Sequence, residues 1–300
     1  MTLRERLDIY EKLMRLDKPI GILLLLWPTL WGLWLSSRGT PDIAVFLVFV
    51  LGVVVMRCAG CIVNDFADRD FDPRVERTKD RPLAARLISP REALLVAGLL
   101  LLLAFLLVLQ LNALTIKLSV IACLLAVIYP FLKRFFWLPQ AWLGIAFGFG
   151  IPMAFAAQRE FVPPLAWMMV VANMFWAIAY DTEYAMVDRD DDEKLGLKSS
   201  ALLFGRFDVT GVMVCHALFL AIMVFIGCRT QLGAFYFAGL VLAGCVAIYQ
   251  YRLIRARQRE DCFRAFMSNN WLGAAIFAGI VADFLLVVPV FSGVHFIIIR

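Results

Sequence analysis

Nine runs of apolar residues, each close to the thickness of a bilayer in helical length, constrain this chain more than any other feature. They fall near 20–36, 43–63, 92–111, 114–132, 136–157, 162–180, 210–228, 232–251 and 271–291. A helix needs roughly 20 apolar residues to cross the hydrocarbon core, and lipid offers backbone groups no partner, so each run is read as a spanning helix. The excess of apolar residues is large: 62% of the 300 residues are hydrophobic and 18% charged, against about 45–50% and about 25% in soluble chains. The expected fold is an all-α integral membrane protein with nine transmembrane helices in one domain over residues 1–300.

Residues 1–19 are charged and amphipathic, with no small-residue cleavage site ahead of the first apolar run, so they do not read as a signal peptide. Leu3, Leu7, Tyr10 and Met14 recur at spacings of three and four, which predicts a helix lying in the membrane interface. With the N-terminus inside, the inner segments hold 23 of the 29 Lys and Arg residues, the outer ones hold five, and Arg57 lies within a helix. That asymmetry orients the chain. It also accounts for the net charge of +5 without a nucleic-acid partner, and no segment asks for an obligate protein partner.

Two inner segments are unusual. "NDFADRDFD" (64–72) closes the second apolar run, and "YDTEYAMVDRDDDEKLGLKSS" (180–200) closes the sixth; together they mark 64–91 and 181–208 as cytoplasmic, aspartate-rich segments. Asn64, Asp68 and Asp72 stand at i, i+4 and i+8, one stripe of a helix that should end at Asp72, since Pro73 disfavours helix there. At about 100° per residue, Asp181, Asp188 and Asp192 fall at about 0°, −20° and +20°, with Asp190 opposite. Two acidic stripes opening on one side repel themselves unless cations intervene. Mg²⁺ takes oxygen ligands, and binds through few carboxylates plus substrate phosphates, so the pattern predicts a diphosphate held between the stripes by Mg²⁺. Arg69, Lys79, Arg81, Lys194 and Lys198, with Tyr129 and Lys133 at i, i+4, are candidates to hold the remaining phosphate oxygens.

Other readings of these residues are weaker. Asp68, Asp70 and Asp72 match the first ligands of a calcium loop, but Pro73 stands where it needs Gly and Lys79 where it needs the bidentate Glu. Cys58 and Cys61 form a C-x-x-C with no second pair or histidine to complete a zinc site, and the seven cysteines read as reduced packing residues. His216 and His295 are isolated in apolar surroundings. A cation transporter using the same acids would place them near mid-membrane; here they sit at helix ends, with Asp283 alone deep in a late helix.

The motifs resemble those of the UbiA superfamily of intramembrane prenyltransferases, and "RLDKPIGILLLLWPTLWGLW" (15–34), "RTKDRPLA" (77–84) and "GLKSSALLFG" (196–205) are similar to its branch acting on 4-hydroxybenzoate. The resemblance runs from about residue 10 to the C-terminus. It implies nine transmembrane helices around a cytoplasm-facing polar cavity, in a bacterial inner membrane. It implies Mg²⁺-dependent transfer of a polyprenyl group from polyprenyl diphosphate to 4-hydroxybenzoate in ubiquinone biosynthesis. By the family's motifs, Asn64, Asp68 and Asp72 form the first metal and diphosphate set, Asp188 and Asp192 the second, with Asp181 before it. Tyr129 and Lys133 match its YxxxK pair. An arginine should bind the acceptor carboxylate; Arg15, Arg57 and Arg69 are the candidates. The chain departs from the family at Ala85-Arg86, where a small residue and Gly are usual. A related enzyme with another aromatic acceptor is the alternative reading.

Overall fold

The structure, a computed structural model, describes residues 2–75, 77–132 and 134–286; Lys133, His295 and the end of the ninth apolar run lie outside them. Among the described residues there are thirteen α-helices and no strand: α1 (Leu3–Met14), α2 (Ile20–Ser37), α3 (Ile43–Asp68), α4 (Pro90–Val108), α5 (Ala113–Leu132), α6 (Pro139–Gly148), α7 (Gly150–Arg159), α8 (Pro164–Val187), α9 (Arg189–Leu195), α10 (Ser200–Phe204), α11 (Asp208–Thr230), α12 (Ala234–Ile254) and α13 (Arg259–Leu286). They make nine spans long and apolar enough to cross a membrane, with α6–α7 and α10–α11 each counting as one.

α8 is the axis of the bundle. Trp176 on it stacks on Phe219 of α11, ring centroids 5.6 Å apart, and meets Trp31 of α2 at 5.2 Å. Some polar groups in this core are tied together. Trp176 Nε1 donates to Asn269 Oδ1 at 2.9 Å, and Asn269 Nδ2 donates to Glu183 Oε2 at 2.8 Å. Without a hydrophobic gain between helices in lipid, close backbone approach does much of the packing. A Cβ on Gly279 of α13 would lie 2.8 Å from the Phe235 carbonyl of α12, so only glycine allows that approach. α4 and α5 are the least embedded spans: 17% of each is buried, against 61% of α8.

The two motif helices stop earlier than the spacing predicts. α3 ends at Asp68, and Asp72 stands in a separate 3-10 turn, Asp72–Arg74, that contains Pro73. The steric block of Pro73 on its predecessor therefore ends the helix one turn sooner. The second acidic stripe is also not one helix. α8 ends at Val187, Asp188 is a junction with φ −96 and ψ 4, and α9 starts afresh at Arg189, so rotation cannot be counted through it. α13 starts at Arg259, well before the apolar run at 271, which reduces the expected loop to residues 255–258.

α1 carries the expected amphipathic pattern with a capping box between Thr2 and Glu5. Its inner flank packs Leu13, Tyr10 and Met14 against Ile62, Leu83 and Ala93, while Leu3 and Leu7 stay exposed. Arg6 and Tyr10 hold Glu92 of α4 at 2.5 Å each. α3 and α8 are the second and sixth spans, so their C-terminal ends emerge on one side. Cysteines introduced at Arg86 and at Glu193 into a cysteine-free background are thus expected to label with a membrane-impermeant maleimide from the same side, and one at Arg159 from the other. Opposite-side labelling of Arg86 and Glu193 would contradict the single-cavity arrangement.

Candidate active site

The C-terminal ends of α3 and α8 face each other across one cavity of about 900 Å³. Asn64, Asp68 and Asp72 line it from the first segment, and Asp181, Asp188 and Asp192 from the second. Tyr129, Gln140, Tyr180, Tyr184 and Lys198 complete the polar end. Below it the walls are apolar. The cavity therefore has a charged mouth and a hydrocarbon-like interior.

Arginines neutralise the carboxylates. Arg77 donates through Nε to Asp188 Oδ1 and Oδ2 at 2.9 and 3.1 Å, and it also bonds the Tyr184 hydroxyl. That contact ties the loop after α3 directly to the end of α8. Arg81 Nη1 bridges Asp72 Oδ2 at 2.9 Å and Asp65 Oδ1 at 3.1 Å. Asp65 accepts from Arg15 as well. Arg15 caps α1 in the left-handed region, φ 54, so this residue closes one helix and reaches the end of another. Asn64 Nδ2 donates to Asp68 Oδ2 at 3.3 Å, and Thr78 Oγ1 donates to the Asp72 carbonyl at 2.8 Å. Burial pushes the Asp72 carboxyl above the usual carboxylate range; Arg81 pulls the other way, and the nearby Asp68 and Asp65 charges reinforce the rise.

The residues proposed from sequence are not all brought together. Arg15, Arg57, Arg81 and Lys198 line the cavity with the aspartates. The Arg57 guanidinium lies against α2 at Gly21, where any Cβ would displace it, and it makes no ion pair among the described residues. Arg69 is outside: it donates to the Phe66 carbonyl at 2.9 Å, caps its own helix and lies over the Phe66 ring. Lys79 and Lys194 are exposed and line no part of the cavity, because each sits on the outer side of a turn whose inner side carries an aspartate or arginine. Lys133 is outside the described residues. Lys198 Nζ donates to the Phe135 carbonyl at 3.0 Å and lies over Trp137. Sequence reasoning passed over Arg77, whose only signal was its place in the "RTKDRPLA" stretch, and Asp65, which helical geometry turned away from the stripe.

Among the described residues no three acidic, histidine or cysteine side chains are grouped closely enough to hold a metal ion, since Arg77 and Arg81 stand between the carboxylates. The donor set nevertheless fits a hard divalent cation. It consists of oxygen ligands only, and Oδ2 of Asp65 is buried without a hydrogen-bond partner just behind it.

An all-helical membrane bundle with oxygen donors and arginines at the mouth of an apolar cavity defines a class: proteins built to hold an amphiphile by an anionic head and a hydrocarbon tail. The chain belongs to the UbiA prenyltransferase family, whose profile matches residues 25–291. It is 60% identical over 286 residues to 4-hydroxybenzoate octaprenyltransferase of Azoarcus sp. (strain BH72), covering 95% of this chain and 100% of that protein. It is 63% identical over 285 residues to the protein of the same name from Nitrosospira multiformis, covering 95% and 98%. Among solved structures, the apo UbiA homolog from Aeropyrum pernix K1 superposes with a TM-score of 0.78 at 28% identity over 87% of this chain and 97% of that one. A UbiA homolog from Archaeoglobus fulgidus bound to GPP and Mg²⁺ shares the fold, TM-score 0.67 at 18% identity, over 91% and 99%.

Asp188 and Asp190 separate a cavity role from a generic acidic cap. The Asp188 side chain is 13% exposed and faces Arg77, whereas that of Asp190 is 68% exposed and pairs with Arg259 at 3.2 Å. Asp188→Asn should reduce prenyl transfer by several orders of magnitude, as expected for a group acting on transition-state charge. Asp190→Ala should cost about tenfold or less, because an exposed carboxylate acts through screened fields. Initial rates at matched membrane levels decide it: equal large losses would mean that the segment uses both carboxylates, and equally small ones a solvated cap.

Proposed function

We propose that the protein transfers an all-trans polyprenyl group from polyprenyl diphosphate to the 3-position of 4-hydroxybenzoate, releasing diphosphate, in ubiquinone biosynthesis. The observation that carries this reading is the convergence of both aspartate segments on one arginine-rich mouth above an apolar cavity, in a chain about 60% identical to 4-hydroxybenzoate octaprenyltransferases along nearly its whole length. The excess of Lys and Arg on one side supports a mouth that faces the cytoplasm, and the bacterial relatives support an inner-membrane location.

The residues divide the work. Asn64, Asp68, Asp72, Asp188 and Asp192 would hold Mg²⁺, which supplies positive charge to the departing diphosphate oxygens. Arg77, Arg81 and Lys198 bind diphosphate oxygens, the two arginines exchanging carboxylate partners for phosphate ones. Tyr129 and Asp181 line the same polar end of the cavity. The C1–O bond breaks, C1 bonds to the ring carbon ortho to the phenol, and that carbon loses its proton to restore aromaticity. Aromatic and aliphatic walls keep water from the allylic cation meanwhile.

Of the three arginines considered for the acceptor carboxylate, Arg57 fits best. Arg15 is engaged by buried Asp65 and Arg69 faces away, while Arg57 lines the cavity with no ion pair among the described residues. Arg57→Met should raise KM for 4-hydroxybenzoate about 10- to 100-fold, the worth of a charge-assisted hydrogen bond of about 1.5–3 kcal/mol, with a much smaller change in KM for the donor. Equal rises in both KM values would remove this assignment.

The reading as a whole is tested with washed membranes, a radiolabelled polyprenyl diphosphate and a panel of aromatic acids. Product should form with 4-hydroxybenzoate, disappear with EDTA and return on adding Mg²⁺. Preference for a naphthoate or homogentisate would favour a related enzyme with another acceptor, and full turnover in EDTA would dispose of the metal role.

A further inference from the structure

The second aspartate segment is steered from its outer side. No residue of α9 is buried, so apolar packing does not fix how this short helix is turned. Charge does. Asp188 and Asp192 line the cavity, whereas Arg189, Asp190 and Asp191 do not. Each of these three is held by a charge from another element: Arg189 Nη1 donates to Asp208 Oδ2 at 2.7 Å, and Arg259 reaches Asp190 at 3.2 Å and Asp191 at 3.7 Å. The α9 backbone hangs from the same junction, with the Asp192 N–H donating to the Asp188 carbonyl at 2.8 Å.

The two sets of contacts are unequal. The side chains of Arg259 and Asp190 are 47% and 68% exposed, and an exposed ion pair contributes little. The Asp208 side chain is fully buried. Asp208 opens α11 and accepts from the Val209 N–H at 2.7 Å, from Arg257 Nη2 at 2.7 Å and from Arg257 Nε at 3.0 Å. Arg257 lies in the loop between α12 and α13 in the left-handed region, φ 54, and its Nη2 also donates to the Arg206 carbonyl at 2.9 Å. Arg257 alone would balance the charge of Asp208, so Arg189 is a second cation on a carboxylate that already has one. One buried carboxylate thus joins the α8–α9 junction, the start of α11 and the α12–α13 loop. From the cavity side, Arg77 grips the neighbouring Asp188.

We propose that Asp208 is a positioning residue for prenyl transfer: through Arg189 it sets the turn of the chain at Asp188 and so aims the Asp188 and Asp192 carboxylates into the cavity. The proposal rests on reading these two carboxylates as ligands of Mg²⁺. Mg²⁺ demands near-ideal octahedral placement of its oxygens, and groups that orient metal ligands are worth about 10- to 100-fold in metal affinity. No side chain caps the start of α9. Without Arg189 on Asp208 the helix keeps its backbone and loses its heading.

The test uses the purified full-length protein carrying Asp208→Asn, Arg189→Met, Arg189→Lys or Arg257→Met. Two readouts do not depend on turnover: the distance between spin labels on cysteines introduced at Arg86 and Glu193 in a cysteine-free background, and Mn²⁺ binding in the presence of inorganic diphosphate, followed by electron spin resonance. Asp208→Asn and Arg189→Met are each expected to broaden the distance distribution and to weaken Mn²⁺ binding about tenfold or more. The double variant should bind no more weakly than either single one, since both break the same contact. Arg189→Lys, which keeps the charge, should restore most of the binding, and Arg257→Met should weaken it less than Arg189→Met. In turnover, the Mg²⁺ concentration for half-maximal rate should rise in step while KM for 4-hydroxybenzoate stays nearly constant. Wild-type Mn²⁺ binding or an unchanged label distance in Arg189→Met overturns the proposal, because Asp208 would then serve only the α12–α13 loop. If Asp208→Asn does not fold, the partly exposed Arg189 still decides. Wild-type protein that binds no Mn²⁺ would fail the functional reading instead, and the label distance would still report whether Asp208 orients α9.

Discussion

Carboxylates of like sign converge on one cavity where the dielectric is low, and they must be compensated to stay there. Leaving one buried charge without its partner costs about 3–5 kcal/mol. The guanidinium groups of Arg15, Arg77 and Arg81 supply the compensation through Asp65, Asp72 and Asp188. These contacts also assemble the mouth: Arg15 brings in the N-terminal helix, Arg77 joins the loop after α3 to α8, and Arg81 folds that loop back on itself. The arginines at the mouth thus pair with carboxylates of both aspartate segments.

Polar and apolar requirements are divided along the length of the bundle. The carboxylates and arginines occupy helix ends and the short segments after them, where irregular backbone lines a water-accessible cavity and is tolerated. Deeper, the described spans are helical, with a one-residue break at Phe149 between α6 and α7. There Trp176 and Glu183 of α8 are both hydrogen-bonded to Asn269 of α13. α4 and α5 are held mainly from one side. A firm half that positions charge beside a loose half that faces lipid suits an amphiphile whose head must be placed and whose tail must not be trapped.

The architecture was legible in the sequence wherever one physical rule acted alone. Bilayer thickness sets the length of an apolar run, and all nine runs correspond to spans. The spacing of Asn64 and Asp68 predicts neighbours on one face, and they are hydrogen-bonded. Rules in competition were harder to read. Helical rotation extended through Asp72 and Asp188, but Pro73 and the junction at Asp188 break both helices. Both residues nonetheless reach the cavity, because the loops that carry them are pulled inward by Arg81 and Arg77.

The sequence by itself determined the class of fold, the shared side of the two acidic segments and the chemistry of the donor set, because these follow from hydrophobic length, span parity and residue type. Only the tertiary structure decided which cations belong to the site. Arg57, Arg77 and Arg81 face inward while Arg69, Lys79 and Lys194 do not, although all six carry the same charge. Direction at the end of a helix depends on where the helix stops and on what the next segment packs against. That is a contest between contacts distant in sequence, and local spacing does not encode it.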